Sequence, residues 1–287
     1  MKYFIGVDGG GTGTRIRVWD QNHSQIAEAR GPSSALAQGI SEAWRAIMTT
    51  LSKAFSDSSL SVPSVKDCFI GMGLSGANNL YWKNEFLLMN PGFKKIVVES
   101  DGLTTLLGAH QGAPGVIIAL GTGSVGMSKN AKGEIHSVSG WGYPSGDEAS
   151  GSWLGIQALR YTEKVMDGRR TSSPLSIAVK NICGSTPDNL LDWLGRAHSK
   201  EYATLAPLVF EHLHHDNFAK ELVTLALSDI EEMLIALDPS KSLPFSLCGN
   251  LGHRFVSELP THLKNRHSEP KGDSADGALT LITGDEV

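Results

Sequence analysis

The stretch FIGVDGGGTGTRIRVWD, which runs from Phe4 to Asp20, decides the fold because it places a glycine-rich turn between two short apolar segments. Tyr3–Val7 is predicted to be a short buried strand, and residues 15–19 alternate between polar and apolar side chains, as a half-buried strand does. A third strand is predicted over Gln25–Ala29, so the chain should open with an antiparallel meander that carries the glycines in its first turn. Glycine lets backbone N–H groups surround an anion, because no Cβ atom stands in the way.

One acidic residue, Asp8, directly precedes this turn, and Thr12 and Thr14 add hydroxyl groups to it. A carboxylate at this point repels bare phosphate but attracts a hydrated Mg²⁺ ion that phosphate carries. The alternative interpretation is a tight hairpin that needs glycine only for positive φ angles. The spacing matches neither the P-loop pattern nor the dinucleotide-binding fingerprint, since no helix follows the turn directly.

Helical and strand patterns alternate after the meander. In chain order they predict a helix over Ser41–Phe55, a strand ending at Gly73, a helix over Tyr81–Met89, a strand ending before Asp101 and a helix over Leu103–Gln111. The pattern begins again with VIIALGTGS (116–124), a buried strand that runs into a second glycine-rich turn. Two further strands follow, helices dominate from Ser152 to about Ala236, and a strand over 244–250 again ends in glycine. The repetition predicts two related domains that are joined near residues 111–115.

The second turn repeats the features of the first, because it supplies glycines and small hydroxyl side chains at the end of a buried strand. Its residues are Gly121, Thr122, Gly123 and Ser124. Two such turns in two half-domains predict a clamp on one polyphosphate in a cleft between the domains. A third glycine cluster, LCGNLGHRF (247–255), could let a flat adenosine lie against the backbone. The alternative for this cluster is an ordinary turn between a strand and a helix.

Composition and charge argue against several classes of protein. The chain has 287 residues, of which 40% are hydrophobic and 19% charged, and its formal net charge is −5. These values are ordinary for a globular protein, and the lack of a basic block argues against a nucleic-acid partner. No apolar run approaches the roughly 18 residues that cross a membrane. Because Cys68, Cys183 and Cys248 form neither a disulfide framework nor a CxxC pair, we expect a reduced, cytoplasmic protein without structural zinc.

The ordered motifs along the chain resemble those of a known family. They are VDGGGTGTRIRVWD, GLSGAN, ESDGLTTLLGAH, ALGTGSVG, GWGYPSGDEASGSWLG, LCGNLG and DSADGALTL. This set is similar to the BadF/BadG/BcrA/BcrD-type ATPases of the actin–Hsp70–sugar kinase superfamily, and within them to the glucosamine and N-acetylglucosamine kinases. The resemblance implies an α/β fold of two ribonuclease-H-like (actin-like ATPase) domains with a ligand cleft between them. It places the first domain at residues 1–111, joined by a C-terminal helix at 274–287, and the second at 112–273.

The resemblance also implies cofactors, partners and residue roles. ATP and Mg²⁺ are the expected cofactors, an amino sugar is the expected substrate, and the family suggests a homodimer. Asp8 matches the residue that holds Mg²⁺, usually through water, and Asp101 matches the catalytic base. The first phosphate loop matches Gly9, Gly10, Gly11, Thr12 and Gly13, and the second matches Gly121, Thr122, Gly123 and Ser124. The adenosine region matches Gly249, Asn250 and Gly252. The sugar-binding stretch matches Gly140, Trp141, Gly142 and Asp147. Ser75 is a further candidate for the sugar site, although small residues at strand ends often only form turns.

Chemistry supports the role of Asp101 independently. Transfer of a γ-phosphoryl group requires a group that accepts the proton of the attacking hydroxyl, and a carboxylate at a strand end suits that role. The alternative is that Asp101 caps a helix. Two rival classes stay open. One is an activator ATPase, which would need cysteines to hold an iron–sulfur cluster, whereas Cys183 and Cys248 are isolated in this sequence. The other is a regulator that only binds nucleotide. The histidines of EHLHHD (211–216) are interpreted as a solvated helix face rather than a metal site.

The amino sugar is predicted to be D-glucosamine, phosphorylated at its 6-hydroxyl, with N-acetylglucosamine as the alternative. In the N-acetyl kinases the stretch after the third strand carries an Asn that contacts the sugar, whereas ARGPSSALAQG places Ala35 in that slot. Asp147 and Glu148 supply carboxylates near the sugar-binding stretch, and one of them could pair with an ammonium group. A site that hydrogen-bonds a substrate group rejects analogues that lack it.

Overall fold

The computed structural model describes residues 2–284 and forms two compact units. The first unit contains the residues up to Gly115, the segment Lys129–Glu134 and the residues from Glu269 onward, and the second contains Val116–Ser128 and Ile135–Ser268. Residues 285–287, at the end of the predicted C-terminal helix, lie outside the described part of the chain. Within residues 2–284, no helix is both long enough and apolar enough to cross a membrane.

The described residues form strands and helices close to the predicted positions. The strands are β1 (Tyr3–Gly9), β2 (Thr14–Trp19), β3 (Gln25–Gly31), β4 (Cys68–Leu74), β5 (Lys95–Glu99), β6 (Gly115–Leu120), β7 (Ser124–Lys129), β8 (Ile135–Ser139) and β9 (Phe245–Cys248). The helices are α1 (Ile40–Asp57), α2 (Leu80–Leu88), α3 (Asp101–His110), α4 (Gly151–Met166), α5 (Pro174–Cys183), α6 (Pro187–Leu194), α7 (Ser199–Ala203), α8 (Ala206–Glu211), α9 (Asn217–Leu237), α10 (Gly249–Val256), α11 (Thr261–Lys264) and α12 (Ser274–Thr283). Among the helices of the described residues, α11 has no predicted counterpart, and α10 corresponds only to the alternative interpretation of the third glycine cluster.

The sheet of the first unit has the strand order β3-β2-β1-β4-β5. Strands β1, β2 and β3 pair antiparallel in sequence order, which confirms the predicted meander. On its other side β1 pairs in parallel with β4, and β4 with β5. The first glycine loop therefore leaves the carboxyl end of β1 beside the carboxyl end of β4.

Helix α1 covers one face of this sheet. Its buried side chains include Ala43, Trp44, Ile47 and Leu51, which recur at the spacing of a single helical face. They pack in one cluster with alternate residues of the sheet, such as Ile5. Because successive side chains of a strand point to opposite faces, Gly6 and Asp8 of β1 lie on the other face.

The C-terminal helix α12 covers that other face at very close range. A Cβ atom added at Gly6 would collide with the carbonyl oxygen of Ala275, and one at Gly71 with the carbonyl oxygen of Ala278. The helix backbone thus touches the sheet backbone directly. Glycine is required at both positions by packing and not by backbone conformation, since neither has a left-handed φ.

Ion pairs fix the start of α12 to strand β2. Asp273, the N-cap residue of α12, pairs with Arg15 and, at 2.9 Å, with Arg17. Arg17 also contacts Asp276 at 2.7 Å and Glu28 at 3.0 Å. These partly buried pairs share their charges in a network, which makes them worth more than isolated surface pairs.

The second unit repeats the strand order of the first. Its sheet runs β8-β7-β6-β9, which corresponds to β3-β2-β1-β4, and β6 and β9 are parallel. Helices α4 to α10 contribute to its core, in which Leu154, Val179 and Ile230 are fully buried. The predicted α/β fold class, with a strand, a glycine turn and a strand occurring twice, is confirmed.

Candidate phosphate loops and acidic residues

Carbonyl groups of the first glycine loop, Gly9–Gly13, accept hydrogen bonds from neighbouring segments. The donors are the Ser75 N–H to Gly9, the Ser33 Oγ to Gly10 and the Gln38 Nε2 to Gly11, at 2.8, 2.9 and 3.1 Å. Because these carbonyl groups point toward their donors, they do not repel an anion that approaches the side of the loop that carries the amide N–H groups. The contact with Ser75 also gives that residue a structural role through its backbone.

The loop closes the hairpin of β1 and β2, and the Gly10 N–H donates to the Gly13 carbonyl oxygen at 3.0 Å. None of its glycines has a φ in the left-handed region, however, so the turn does not need glycine for positive φ angles. A Cβ atom at Gly10 would come no closer to its neighbours than 3.8 Å, from the carbonyl oxygen of Gly13, and one at Gly11 would meet nothing within 4 Å. Neither backbone conformation nor internal packing explains these two glycines. Open space that a Cβ would fill fits a loop that a phosphate group approaches closely.

The two threonines of the first loop differ. Thr14 is 3% exposed, and its hydroxyl contacts the carbonyl oxygen of Pro32 at 2.6 Å and the Ser34 Oγ at 2.7 Å. Its expected role as a hydroxyl donor to a ligand is therefore wrong. Thr12 is exposed and keeps that expectation.

Two partly buried acids, Asp8 and Asp101, lie in the first unit at the ends of β1 and β5. Burial raises the pKa of Asp8, and an interaction with the Ser274 hydroxyl opposes this rise. Burial likewise raises the pKa of Asp101; a hydrogen bond from the Gly102 N–H opposes the rise, and repulsion by Asp8 adds to it. Acids whose pKa values are shifted in this way are typical of functional sites.

The capping alternative for Asp101 is wrong, because the N-cap of α3 is Ser100. The Ser100 Oγ accepts a hydrogen bond from the Leu103 N–H at 3.2 Å. Asp101 is the first residue of the helix, and its Oδ1 accepts from the adjacent Gly102 N–H at 3.0 Å. The helix thus has its cap without Asp101, and another reason must account for an acid there.

The chemistry of the donors fits Mg²⁺ rather than a transition metal. Within residues 2–284, no group of three or more His, Cys, Asp or Glu side chains could hold a metal ion. Magnesium often binds through one or two carboxylates and keeps its other ligands as water and substrate phosphate. Asp8, placed directly before a glycine loop, is the residue suited to that arrangement.

The second glycine loop, Gly121–Ser124, is held by the start of a helix. The carbonyl groups of Gly121 and Thr122 accept from the N–H groups of Gly151 and Ser152 at 2.8 and 3.0 Å. As in the first loop, a Cβ at Gly121 would meet nothing within 4 Å, and the φ angle of Gly121 is not left-handed. Neither backbone conformation nor packing within the described residues therefore explains why Gly121 and Gly11 are glycines.

Asp147 is bound to the back of this second loop. The residue is 8% exposed, and its carboxyl accepts hydrogen bonds from the backbone of Ser124 and, at 3.2 Å, of Gly142. Burial raises the pKa of Asp147, and these two hydrogen bonds oppose the rise. A Cβ at Gly123 would lie 2.6 Å from the Asp147 Oδ2, so this glycine makes room for the carboxyl. The Ser124 hydroxyl is also engaged, since it donates to the Glu148 carbonyl oxygen at 2.7 Å.

The predicted sugar-binding stretch is an irregular segment of the second unit. Gly140 and Gly142 have φ angles of 74° and 85°, which explains both glycines. Trp141 between them is 86% exposed. The structure brings Gly142 and Asp147 together, but it commits the carboxyl of Asp147 to backbone groups.

The third glycine cluster begins helix α10. Gly249 has a φ of 83°, and a Cβ there would collide with the carbonyl oxygen of Leu120. A Cβ at Gly252 would lie 3.0 Å from the backbone of Leu247. The turn between a strand and a helix therefore accounts for both glycines, and the adenosine site stays a prediction. Asn250 is exposed beside them.

Sequence reasoning missed the residues that support these loops from distant positions. Ser33 and Gln38, which contact the first loop, follow the meander. Ser274 lies beside Asp8 and contacts Thr104. One local signal was available for α12, because the acids of DSAD (273–276) form a capping box, with each carboxyl accepting from the other's backbone.

Comparisons with known proteins agree with this architecture. The model of the BadF/BadG/BcrA/BcrD ATPase family matches residues 5–274. The chain belongs to this family. The chain is 29% identical over 280 residues to glucosamine kinase GspK of Vibrio cholerae, covering 97% of this chain and 95% of that protein. It is 28% identical over 217 residues to the N-acetylmuramic acid/N-acetylglucosamine kinase of Clostridium acetobutylicum, covering 73% of this chain and 70% of the relative. A solved structure from Chromobacterium violaceum, described as a candidate N-acetylglucosamine kinase, is 46% identical, has a TM-score of 0.96 and covers 98% of this chain and 99% of its own.

Proposed function

We propose that this chain is an ATP-dependent hexosamine kinase that transfers the γ-phosphoryl group to the 6-hydroxyl of D-glucosamine. The chain belongs to an ATPase family, and relatives that match nearly its whole length are amino-sugar kinases, so its class is that of the sugar kinases. The observation that carries the proposal is the pair of glycine loops. Gly11 and Gly121 have neither left-handed φ angles nor close neighbours, so a ligand best explains their lack of a side chain.

Backbone groups of the two loops bind phosphate in this mechanism. Carbonyl groups of both loops accept from donors within their own units, and the N–H groups of Gly10 and Gly121 bond the carbonyls of Gly13 and Gly123, so other amide N–H groups of the loops serve the phosphate oxygens. Asp8 is the residue that would hold Mg²⁺, which when bound would neutralise charge on the phosphate groups.

Asp101 accepts the proton of the sugar hydroxyl. Its raised pKa makes it a better base than an exposed carboxylate, provided that it is ionised when the sugar attacks. Ser100 caps α3, so Asp101 can exchange a proton without loss of the cap. A regulator that only binds nucleotide would have no use for this acid.

The rival activator ATPase is disfavoured by the cysteines. All three, Cys68, Cys183 and Cys248, are buried. Burial raises the pKa of the Cys68 thiol to about 11 and that of the Cys183 thiol to about 12. Thiols of this kind stay protonated, whereas a cluster ligand is an accessible thiolate.

The choice between the two amino sugars rests on two positions. Ala35, in the slot where the N-acetyl kinases carry an Asn, is 5% exposed and offers no polar side chain. Of the two neighbouring acids, Glu148 is the better partner for an ammonium group, because Asp147 already accepts from two backbone groups. The alternative substrate, N-acetylglucosamine, is favoured by the high identity to the Chromobacterium violaceum protein.

A coupled ADP-release assay over hexoses and hexosamines tests the proposal. We expect ADP release to depend on an added amino sugar, and the kcat/KM to be higher for glucosamine than for N-acetylglucosamine. A higher kcat/KM for N-acetylglucosamine would reverse the choice of sugar and keep the kinase. Hydrolysis of ATP that no sugar accelerates would reject the kinase itself.

A further inference from the structure

Asp8 faces a part of the molecule that the mechanism above does not use. In the parallel pair β1 and β4, Asp8 is the register partner of Gly73, so both residues lie on the same face of the sheet. Helix α12 covers this face, since Gly6, two residues before Asp8, lies against the Ala275 carbonyl. The Asp8 side chain is therefore directed toward the first turn of α12.

Two buried hydroxyl groups lie at that turn. Thr104 of α3 is 0% exposed, Ser274 of α12 is 5% exposed, and their oxygen atoms are 2.7 Å apart. Gly73 makes room for both, because a Cβ there would lie 3.0 Å from the Ser274 Oγ and would collide with the Thr104 Oγ1. The Thr104 Oγ1 is also 3.1 Å from the carbonyl oxygen of Asp101.

The distances in this group favour one arrangement of donors and acceptors. An ionised Asp8 only accepts hydrogen bonds, so the Ser274 hydroxyl donates its single proton to Asp8. The Ser274 oxygen, at 2.7 Å, is then a closer acceptor for the Thr104 proton than the carbonyl oxygens of Asp101 and Ser100, at 3.1 and 3.4 Å. Buried hydroxyls aligned in this way hold a carboxylate in a single orientation.

We propose that Ser274 and Thr104 are positioning residues, which orient the Asp8 carboxylate for Mg²⁺ and link it to the helix that carries Asp101. The inference rests on the proposed function, because it assigns a purpose to Asp8 only if the protein binds Mg²⁺ with nucleotide. It also gives α12 a direct part in the site: the last helix supplies the hydroxyl that holds the first acid.

Calorimetry of ADP binding with and without Mg²⁺ tests this proposal apart from turnover. For each variant, the ratio of the two Kd values measures how strongly Mg²⁺ promotes binding of ADP. Because hydrogen bonds to charged groups are the stronger kind, Ser274→Ala should reduce this ratio about 10-fold. Thr104→Val, which removes a neutral donor one step further away, should reduce it about fivefold.

Two control variants separate positioning from general damage. Thr104→Ser keeps the hydroxyl and should restore the ratio of the native protein. Thr50→Val removes another buried helical hydroxyl of the same unit, one that bonds only the Ala46 carbonyl at 2.7 Å, and should leave the ratio unchanged. If Ser274→Ala does not fold, the comparison of Thr104→Val with Thr104→Ser decides alone.

The outcomes are distinct. A folded Ser274→Ala protein whose ratio stays within twofold of the native value, or equal ratios for Thr104→Val and Thr104→Ser, overturns the positioning role and leaves the kinase in place. A native protein that shows no effect of Mg²⁺ on ADP binding and phosphorylates no hexosamine overturns the proposed function together with this inference.

Discussion

In the first glycine loop, Gly9–Gly13, the carbonyl groups are held by two side chains and one amide from neighbouring loops, whereas in the second, Gly121–Ser124, they are held by the first amides of helix α4. The acids differ as well. Asp8 directly precedes the first loop, but the residue before the second loop is Leu120, which is fully buried. The acid of the second loop, Asp147, comes from a separate segment and accepts from backbone groups.

The two loops have similar sequence patterns, but this difference indicates that they have different roles. Within the described residues, the first unit combines a glycine loop with two acids whose pKa values are raised, Asp8 and Asp101. The second unit combines a glycine loop with an acid that stabilises the loop itself. We infer that proton transfer and metal binding belong to the first unit, and that the second loop contributes neutral donors.

The largest effect is expected at Asp101. The Asp101→Asn variant keeps the size of the side chain but cannot accept a proton, so kcat should fall by about 10²–10⁴, the usual range for a positioned general base. Affinity for ADP should stay close to native, because the loops are untouched. Steady-state kinetics together with calorimetry would check both statements, with the exposed Asp67→Asn as control. Retention of more than half of the native kcat would refute the assignment.

A valine at each open glycine tests whether the loops share the binding of phosphate. Gly10→Val and Gly121→Val should each raise the Kd for ADP by about 10-fold or more, since amide contacts to a charged phosphate would be lost. Both variants should fold, because neither position has a neighbour closer than 3.8 Å. Gly195→Val, at the exposed end of α6, is the matched control. Thr122→Val, which removes one hydroxyl, should have a smaller effect. Native ADP affinity in one loop variant would remove that loop from the site.

A change at Asp147 distinguishes support of the second loop from contact with the sugar. Asp147→Asn replaces an acceptor of two backbone hydrogen bonds with a side chain that can accept at one oxygen only. If the carboxyl supports the loop, the Kd for ADP should rise by about fivefold while the KM for sugar changes little. The opposite pattern, a raised sugar KM with native ADP affinity, would show that Asp147 binds the sugar, as the family resemblance implies.

The smallest effect is expected at Asp229 of helix α9, which lies near Glu148. Burial, then the charges of Glu148 and Glu232, raises the pKa of Asp229 to about 6. The native state thus holds this proton more tightly than the unfolded chain does, so the group costs stability as pH rises from about 4 to about 6, and the full cost remains above that range. Asp229→Asn removes the cost and should raise the free energy of unfolding at pH 8 by about 1 kcal/mol, because solvent screens a half-exposed group.

Urea denaturation at several pH values would check this last prediction. The gain should shrink toward zero as the pH approaches 4, and the exposed Asp192→Asn should show no such trend. An equal gain at all pH values would mean that the charge of Asp229 is not its cause.

The local patterns predicted the fold well, because each depends on neighbours in sequence. The helical spacing of Trp44, Ile47 and Leu51 and the alternation over residues 15–19 sufficed to place α1 and β2. The repeated glycine turns likewise predicted that a strand, a glycine turn and a strand occur twice. Helix α11 was missed because it has only 4 residues, and α10 was expected only in the alternative interpretation of the third glycine cluster.

The site was predicted less completely, because its support comes from distant segments. No local pattern reveals that Ser274 lies beside Thr104, 170 positions earlier in the chain. The capping of α3 was misjudged by one residue, since Ser100 and Asp101 are both common N-cap residues and only the hydrogen bond to Leu103 distinguishes them. Gly10 and Gly249 look alike in sequence, yet packing explains Gly249 and does not explain Gly10.

The contact of α12 with β1 has a consequence for synthesis. The ion pair between Arg15 and Asp273 joins residues 258 positions apart, and helix α12 covers the face of β1 that carries Gly6. Because domains fold as units while the ribosome adds residues from the N-terminus, the sheet of the first unit must wait until α12 has been translated before this face is covered. Until then the backbone at Gly6 and Gly71 lacks the helix that packs against it, so we expect the first unit to complete its folding only after α12 has been made.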